Sequence, residues 1–444
     1  MYPLFYFLSY KKNHNIAIHS KSNIHQTSVE RVKLTSDAMV LQCYTWIVDL
    51  FKQVIIGNLD DNGATAIDFC TYVPNEVAID ILSRLQVESV VQCRKVCKNW
   101  RKLTSSSQFI ELHQRRAAPI ILRHHGSYQD SWVSVIDEKS EEKCEVMGLG
   151  TFSVLGCCNG LVLMKPRYPS FDYFVINPLS KGGKITTIYS TISRGDPCGF
   201  FFHPLAKEYR ILFACKNSGS CYEYHLYLFG AKMWRKTINR PYFYCGPPSR
   251  DATCCAIVNR ALHWIHSRFV VWERTGENFC IMAFEMINEK FSMRPIPPVQ
   301  SQSRGRGQTM RLMVKEDRLC FCHVASEEHV MSIWILEDYV NWCWIRKYNV
   351  NLDWDIKKFP MVRHYENYAR NFSTVHVVTI HKDEIKLLWW KRGLFSYNLD
   401  RNTVNKFQLK KSKHNILCDH DFGYLACTKS LEMTMSGHCD FYRD

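Results

Sequence analysis

Cysteine and histidine are the residues of this chain that most readily suggest chemistry, because both can ligate a metal ion. The sequence contains 20 cysteines and 18 histidines. Cys93 and Cys97 lie four residues apart in a segment predicted to be helical, yet no second pair follows at the spacing of a zinc finger. His263 and His266 lie in a predicted strand, where residues three apart point to opposite faces. We therefore predict no metal site and assign these side chains to packing.

The motifs of catalysis are also incomplete. Residues 421–423 read Asp-Phe-Gly, as in the metal-binding loop of a kinase, but no glycine-rich loop and no His-Arg-Asp triplet precede them. The sequence contains neither a Gly-x-Ser-x-Gly nucleophile elbow nor a phosphate-binding P-loop. We predict a chain with no catalytic residues and no cofactor, whose function is binding.

Residues 73–113 have the periodicity of three short amphipathic helices. Pro74 suits the first turn of a helix, and Val77, Ile81 and Leu85 then recur every four residues as one apolar stripe. A segment of about 40 residues is too small to bury all of its apolar surface alone, so part of it is expected to meet a partner or the rest of the chain. The apolar residues of the second helix are Val90, Cys93, Cys97 and Trp100, and those of the third are Phe109, Ile110 and Leu112.

This segment resembles an F-box, whose consensus runs Leu-Pro-x-Glu, then Ile-Leu-x-Arg-Leu-Pro, then Cys-Arg-x-Val-Cys-Lys-x-Trp. Val73 stands in place of the usual leucine, and Gln86 in place of the usual proline, which is expected to loosen the turn between helices. The matching residues are Pro74, Glu76, Ile81, Leu82, Arg84, Leu85, Cys93, Arg94, Val96, Cys97, Lys98, Trp100, Phe109 and His113.

The resemblance implies a substrate-recognition subunit of a Skp-cullin-F-box type ubiquitin ligase, which is not itself an enzyme. Its F-box, residues 71–116, would bind a Skp-type adaptor and, through it, a cullin scaffold. The adaptor-binding residues implied in this way are Pro74, Glu76, Val77, Ile81, Leu82, Leu85, Val90, Val91, Val96 and Trp100.

The net charge of +15 raises the question of nucleic-acid binding. The basic residues are scattered along the chain, however, and no nucleic-acid motif accompanies them, so no direct binding to nucleic acid is expected. The cysteines lie within apolar runs such as Leu319-Cys320-Phe321-Cys322. This placement favours free, buried thiols in a reducing compartment, and we expect the protein in the nucleus, the cytoplasm or both.

Residues 1–70 are predicted to be an N-terminal extension, poorly ordered or a lone amphipathic helix. The apolar run at residues 1–10 precedes Lys11 and Lys12, the reverse of the order in a signal peptide. Residues 39–56 are apolar but interrupted by polar and charged side chains, so no membrane span is expected. Met39 is a plausible alternative start, and removal of residues 1–38 is expected to leave folding and adaptor binding intact.

After Arg116 the pattern changes to short runs of β-branched and aromatic residues bounded by turn signals, which is typical of an all-β domain. A polar turn precedes a strand at residues 159–164, 259–265, 316–322 and 382–390, in units of about 50 residues. We predict a five- or six-bladed β-propeller over residues 118–435. The large aromatics expected to pack between its blades are Trp234, Trp264, Trp334, Trp342 and Trp389.

This second region resembles the plant F-box-associated domain, a kelch-like propeller that presents a protein target. Within it, Arg304 and Arg306 of the loop Ser301–Gln308 are predicted to contact an acidic or phosphorylated segment of that target, whose identity stays open. The alternative is a propeller that binds carbohydrate or another small ligand, or an oxidase-like enzyme, with helices that are only structural. The landmarks of the resemblance are Gly156–Met164, Val175–Pro178, Phe200–His203, Tyr209–Ile211, Ala261–Trp264, Ile281–Phe284, Pro295–Pro298 and Ser332–Tyr339.

Overall fold

The computed structural model divides into two compact units, Met1–Arg116 and Ala117–Asp444. Within them it describes residues 75–117, 119–126, 131–136, 141–144, 152–166, 172–178, 185–189, 195–216, 222–239, 246–248, 255–267, 279–299, 308–325, 329–354, 358–359, 375–389, 392–407 and 423–427. In this part of the chain no helix is long and apolar enough to cross a membrane.

Where the structure describes it, the first unit contains four helices, α1 (Asn75–Leu82), α2 (Val87–Val96), α3 (Lys98–Thr104) and α4 (Ser107–Arg116). The predicted second helix is thus in two pieces. Cys97 has φ −153° and ψ 163°, an extended conformation, and its thiol accepts a hydrogen bond of 3.4 Å from the backbone N–H of Trp100. Cys97 therefore ends α2 and caps α3, and the expectation that Cys93, Cys97 and Trp100 share the face of one continuous helix is wrong.

The second unit contains, among its described residues, 24 strands in six four-stranded sheets, which confirms the predicted all-β propeller. Each sheet is antiparallel throughout. Blade 1 comprises β24 (Gly423–Cys427), β1 (Ile120–Gly126), β2 (Ser131–Ile136) and β3 (Glu141–Cys144). Blade 2 comprises β4 (Phe152–Cys158), β5 (Leu161–Pro166), β6 (Tyr173–Ile176) and β7 (Thr186–Ile188). Blade 3 comprises β8 (Gly195–His203), β9 (Glu208–Lys216), β10 (Tyr222–Leu228) and β11 (Met233–Lys236).

The other three blades follow in chain order. Blade 4 comprises β12 (Ala256–Val258), β13 (Ala261–Ser267), β14 (Phe279–Glu285) and β15 (Lys290–Pro295). Blade 5 comprises β16 (Gln308–Lys315), β17 (Arg318–Ala325), β18 (Val330–Asp338) and β19 (Cys343–Asn351). Blade 6 comprises β20 (Val375–His381), β21 (Glu384–Trp389), β22 (Gly393–Asn398) and β23 (Thr403–Lys406).

First strands of neighbouring blades pack against one another, as β4 does on β8, β12 on β16 and β16 on β20, and the ring closes through β24. This strand contacts the first strands of both neighbouring blades, β4 and β20. It also pairs with β1, from Ile120 opposite Cys427 to His124 opposite Gly423. Blade 1 is therefore assembled from the two ends of the domain, and the Gly423 that had suggested a kinase loop begins the closing strand. Closure of this kind removes an unpaired sheet edge.

The polar turns that mark the sequence repeat are two-residue hairpin turns between the first and second strands of a blade. In blade 2 Asn159 and Gly160 have φ of 49° and 80°, and in blade 5 Glu316 and Asp317 have φ of 51° and 59°. Positive φ at both positions defines the type I′ turn, whose twist suits a hairpin. The strict turn geometry explains why the repeat is visible in the sequence at all.

A separate apolar cluster lies at every seam between neighbouring blades, as the described residues show. The predicted packing of the large aromatics is confirmed: Trp264 belongs to the cluster of blades 3 and 4, and Trp389 to that of blades 5 and 6. Trp234 joins the cluster of blades 2 and 3, while Trp334 and Trp342 join that of blades 4 and 5. The core of the propeller is thus a ring of six clusters.

Candidate partner-binding surfaces

The predicted adaptor-binding residues of the helical unit separate into a core and a surface. Leu82, Leu85, Val90 and Trp100 are buried within the unit. Because a buried side chain supports a surface without itself offering contact area, the residues that retain access to solvent are the better candidates for direct contact. Those are the half-buried Val77, Ile81, Val91 and Val96 and the exposed Glu76, whereas Pro74 lies outside the described residues.

The turn after α1 is held in place from α4. Buried His113 forms a hydrogen bond of 2.9 Å between its Nε2 and the carbonyl oxygen of Leu85. Burial lowers the pKa of His113, so the neutral imidazole is the favoured form. The next residue, Gln86, has φ −65° and ψ 153°, which is the φ that proline would impose. The turn is therefore well defined in spite of the missing proline.

A second tie joins the end of α4 to α1. Arg116 donates hydrogen bonds to the carbonyl oxygen of Asp80 at 2.9 Å and to the hydroxyl of Ser83 at 2.6 Å. The carboxylate of Asp80 also pairs with Arg116 at 2.8 Å and with Arg84 at 3.2 Å. Burial raises the pKa of Asp80, but the hydrogen bonds from Arg116 and Arg84 outweigh it and hold the pKa below its usual value. The two ties fix the ends of the helices that carry the apolar stripe.

Cys93 and His263, two of the residues that suggested chemistry, are buried side chains of the packed interior. Burial raises the pKa of Cys93 to about 12, which keeps the thiol protonated and a poor ligand. Burial lowers the pKa of His263 to about 4, and its Nε2 lies 2.9 Å from the hydroxyl of Tyr339 in the next blade. No group of three or more potential metal ligands occurs among the residues searched, which are the described ones. Arg304 and Arg306, the predicted target contacts, lie outside those residues.

The outer parts of three seams share one arrangement, in which a side chain at or just before the start of a fourth strand binds the backbone of the preceding blade. Trp234 donates from Nε1 to the carbonyl oxygen of Tyr189 at 3.0 Å, and Trp342 donates to that of Pro295 at 2.9 Å. At the seam between them, the carboxylate of Glu289 accepts from the backbone N–H of Ile238 at 2.8 Å. These contacts join residues about 50 positions apart, and no motif in the sequence announces them.

Two family models match the two units. Residues 119–426 match the F-box associated beta propeller domain, and residues 71–110 match an F-box-like domain. An F-box protein of Arabidopsis thaliana is 23% identical over 316 residues, which cover 63% of this chain and 72% of the relative. F-box only protein 12 of Arabidopsis thaliana is 25% identical over 346 residues, which cover 75% of this chain and 74% of the relative.

An F-box followed by a propeller defines the class of protein, and the relatives named here are F-box proteins of a plant. The chain belongs to the F-box associated beta propeller domain family. An F-box/kelch-repeat protein of Arabidopsis thaliana, 23% identical over 298 residues, covers 60% of this chain, with 76% of its own length matched.

Proposed function

We propose that this protein is the substrate-recognition subunit of a Skp-cullin-F-box type ubiquitin ligase. The observation that carries the proposal is the presence of an F-box and a closed propeller in one chain. The helical unit binds a Skp-type adaptor and, through it, a cullin scaffold. The propeller binds the protein target. The receptor acts in the nucleus, the cytoplasm or both, where the ligase meets its targets.

The mechanism is proximity, and the receptor contributes no catalytic group. By holding a target and an adaptor in one complex, the chain raises the effective concentration of target lysines near the ubiquitin-carrying enzyme. Rigidity suits this task, since a blade ring presents its loops in fixed positions. The family match to the F-box removes the main support for the alternative of a ligand-binding propeller whose helices are only structural.

Co-purification of a Skp-type adaptor with the full chain tests the proposal. Val91→Asp and Ile81→Asp place a charge on half-buried residues of the implied adaptor-binding set and are expected to abolish adaptor binding. Lys95→Ala, at an exposed position of the same α2, is the matched control and is expected to bind normally. Circular dichroism distinguishes loss of binding from loss of the helices. Normal adaptor binding by folded Val91→Asp and Ile81→Asp proteins would contradict the proposed interface.

A further inference from the structure

Arginines occupy corresponding places at two neighbouring seams of the propeller but meet different partners. Arg235 of β11 pairs with Glu289, the last residue before β15, and the side chain of Glu289 is only 3% exposed. Arg294 of β15 instead lies over the ring of Trp342, the last residue before β19, with 5.5 Å from its guanidinium carbon to the centroid. The carboxylate neutralises the first guanidinium, whereas the indole leaves the charge of the second uncompensated.

A second arginine, on β19, also lies over an indole ring. Arg346 is exposed and lies 5.8 Å from the ring centroid of Trp334, its partner residue in β18. Neither Arg294 nor Arg346 forms an ion pair with a carboxylate within the described part of the chain. Two cations are thus held on aromatic faces, where the ring attracts the charge but cannot neutralise it.

An exposed apolar side chain lies in the same turn as Trp342. Val340, in the turn between β18 and β19, is 81% exposed. Trp342 packs edge-on against Tyr339, with 5.7 Å between the ring centroids, and against Trp344, with 5.8 Å. Tryptophan, tyrosine and arginine are the residue types that dominate binding energy at protein interfaces.

We propose that this Arg–Trp surface, comprising Arg294, Arg346, Trp334, Trp342 and Val340, binds a segment rich in aspartate and glutamate in the protein target. The proposal rests on the receptor function proposed above and names the kind of target segment. Carboxylates of the segment pair with the two guanidiniums, and an apolar side chain of the segment covers Val340. The complementary charge also favours rapid association.

Side chains, and not the backbone edge of β19, carry this recognition. The pairing of β19 with β18 shifts register between Ile333 and Trp334, which leaves Lys347 as the extra residue of a bulge. A bulged edge with an exposed lysine resists the addition of another strand. The segment therefore lies across the aromatic and cationic side chains at the seam.

The test uses the purified full chain and two fluorescein-labelled peptides, measured by fluorescence anisotropy. One peptide alternates Glu-Asp pairs with leucine, and the other replaces each acidic residue with lysine. Arg294→Gln combined with Arg346→Gln removes both cations of the Arg–Trp surface. Arg260→Gln combined with Arg401→Gln removes the same charge from exposed turns of blades 4 and 6 and serves as the matched control. Val340→Asp tests the apolar contact at a position too exposed to disturb folding.

Wild-type protein and the Arg260/Arg401 variant are expected to bind the acidic peptide equally, and at least about tenfold more tightly than the lysine peptide. The Arg294/Arg346 variant and Val340→Asp are each expected to lose about tenfold in affinity, a change of about 1.4 kcal/mol, with adaptor co-purification unchanged. Equal affinity of the Arg294/Arg346 variant and its control, full affinity of Val340→Asp, or no preference of the wild type for the acidic peptide would overturn the proposal. If the wild-type protein preferred the acidic peptide but did not co-purify with an adaptor, the result would count against the proposed receptor function and not against this surface.

Discussion

The helical unit and the propeller bury their apolar residues in opposite ways. Among its described residues the helical unit buries a small set of apolar side chains, and Val77 and Ile81 of its apolar stripe remain half-buried. The propeller distributes its core over six seams, each with its own cluster. A unit with few buried side chains depends on each of them for its stability. A propeller that loses one buried side chain retains the apolar clusters at its other five seams. The helical unit is therefore expected to be the more fragile of the two.

The largest expected effect comes from a matched pair of core truncations. Phe109 of α4 and Phe321 of β17 are both fully buried, and removal of a buried phenylalanine ring typically costs about 3–5 kcal/mol. Phe109→Ala is expected to unfold the helical unit and abolish adaptor binding. Phe321→Ala is expected to lower the unfolding temperature of the propeller while the sheets and adaptor binding persist. Circular dichroism and adaptor co-purification measure both outcomes. Equal loss of adaptor binding in the two variants would show that the helical unit is not the more fragile of the two.

Acid is expected to destabilise the propeller through His263. Burial lowers the pKa of His263 to about 4 in the folded state. Between about pH 6.5 and 4, its imidazole is therefore protonated in the unfolded chain but neutral in the folded chain. The contribution of His263 to the free energy of unfolding is fully present above about pH 6.5. It falls by about 3 kcal/mol as the pH approaches 4, since each unit of pKa corresponds to about 1.4 kcal/mol. Urea unfolding of wild type and His263→Gln at several pH values measures the difference.

His263→Gln removes the titrating group and is expected to flatten this part of the pH profile. Burial also lowers the pKa of His113 in the helical unit, so His113→Gln is the matched variant there. Parallel pH profiles for wild type and His263→Gln would show that His263 does not cause the acid sensitivity.

One ion pair in each unit is expected to contribute a smaller free energy, which depends on how far the pair is buried. Glu289→Gln leaves Arg235 beside a neutral amide at a largely buried position, and we expect a loss of about 1–3 kcal/mol in the propeller. Arg84→Ala removes a pair with Asp80 whose side chains are 45% and 43% exposed, and we expect a loss below about 1 kcal/mol in the helical unit. Chemical denaturation of both variants gives the two free energies. A larger loss for Arg84→Ala would show that burial does not rank these pairs.

The smallest effect is a gain. Gln86 already has φ −65°, so Gln86→Pro fits the backbone of the folded turn and restricts the unfolded chain. We expect the helical unit to gain about 0.4–1 kcal/mol and to bind the adaptor at least as well as wild type. The unfolding temperature of the helical signal measures the gain. Gln86→Ala, which lacks the ring constraint, is the control, and an equal rise in both would exclude the restriction as the cause.

Much of the fold was predictable because local rules determine it. Helices followed from four-residue periodicity around Val77 and Ile81, and strands followed from short β-branched runs between turns. The hairpin turns at Asn159 and Glu316 were visible because left-handed backbone favours polar residues there. The break at Cys97 was missed, since one extended residue within a helical pattern leaves no periodic signal.

The surfaces were less predictable because they depend on contacts between distant parts of the chain. The resemblance indicated a set of adaptor-binding residues, but only packing separates the buried Leu82 and Val90 from the half-buried Val91 within that set. The contrast between Arg235 and Arg294 depends on what the next blade places opposite each guanidinium. The closure of blade 1 depends on β24, whose five residues were too short to stand out in the sequence.

The closing strand has a consequence for translation. Because synthesis proceeds from the amino terminus, the helices and the first three strands of blade 1 are made long before β24, which must complete that blade. A product that stops before residue 423 retains the helical unit but leaves β1 with an open edge, which invites aggregation. If the proposed function holds, such a product would still occupy adaptor while presenting no target. A premature stop late in the message would then act as a competitor of the intact receptor, not as a simple loss.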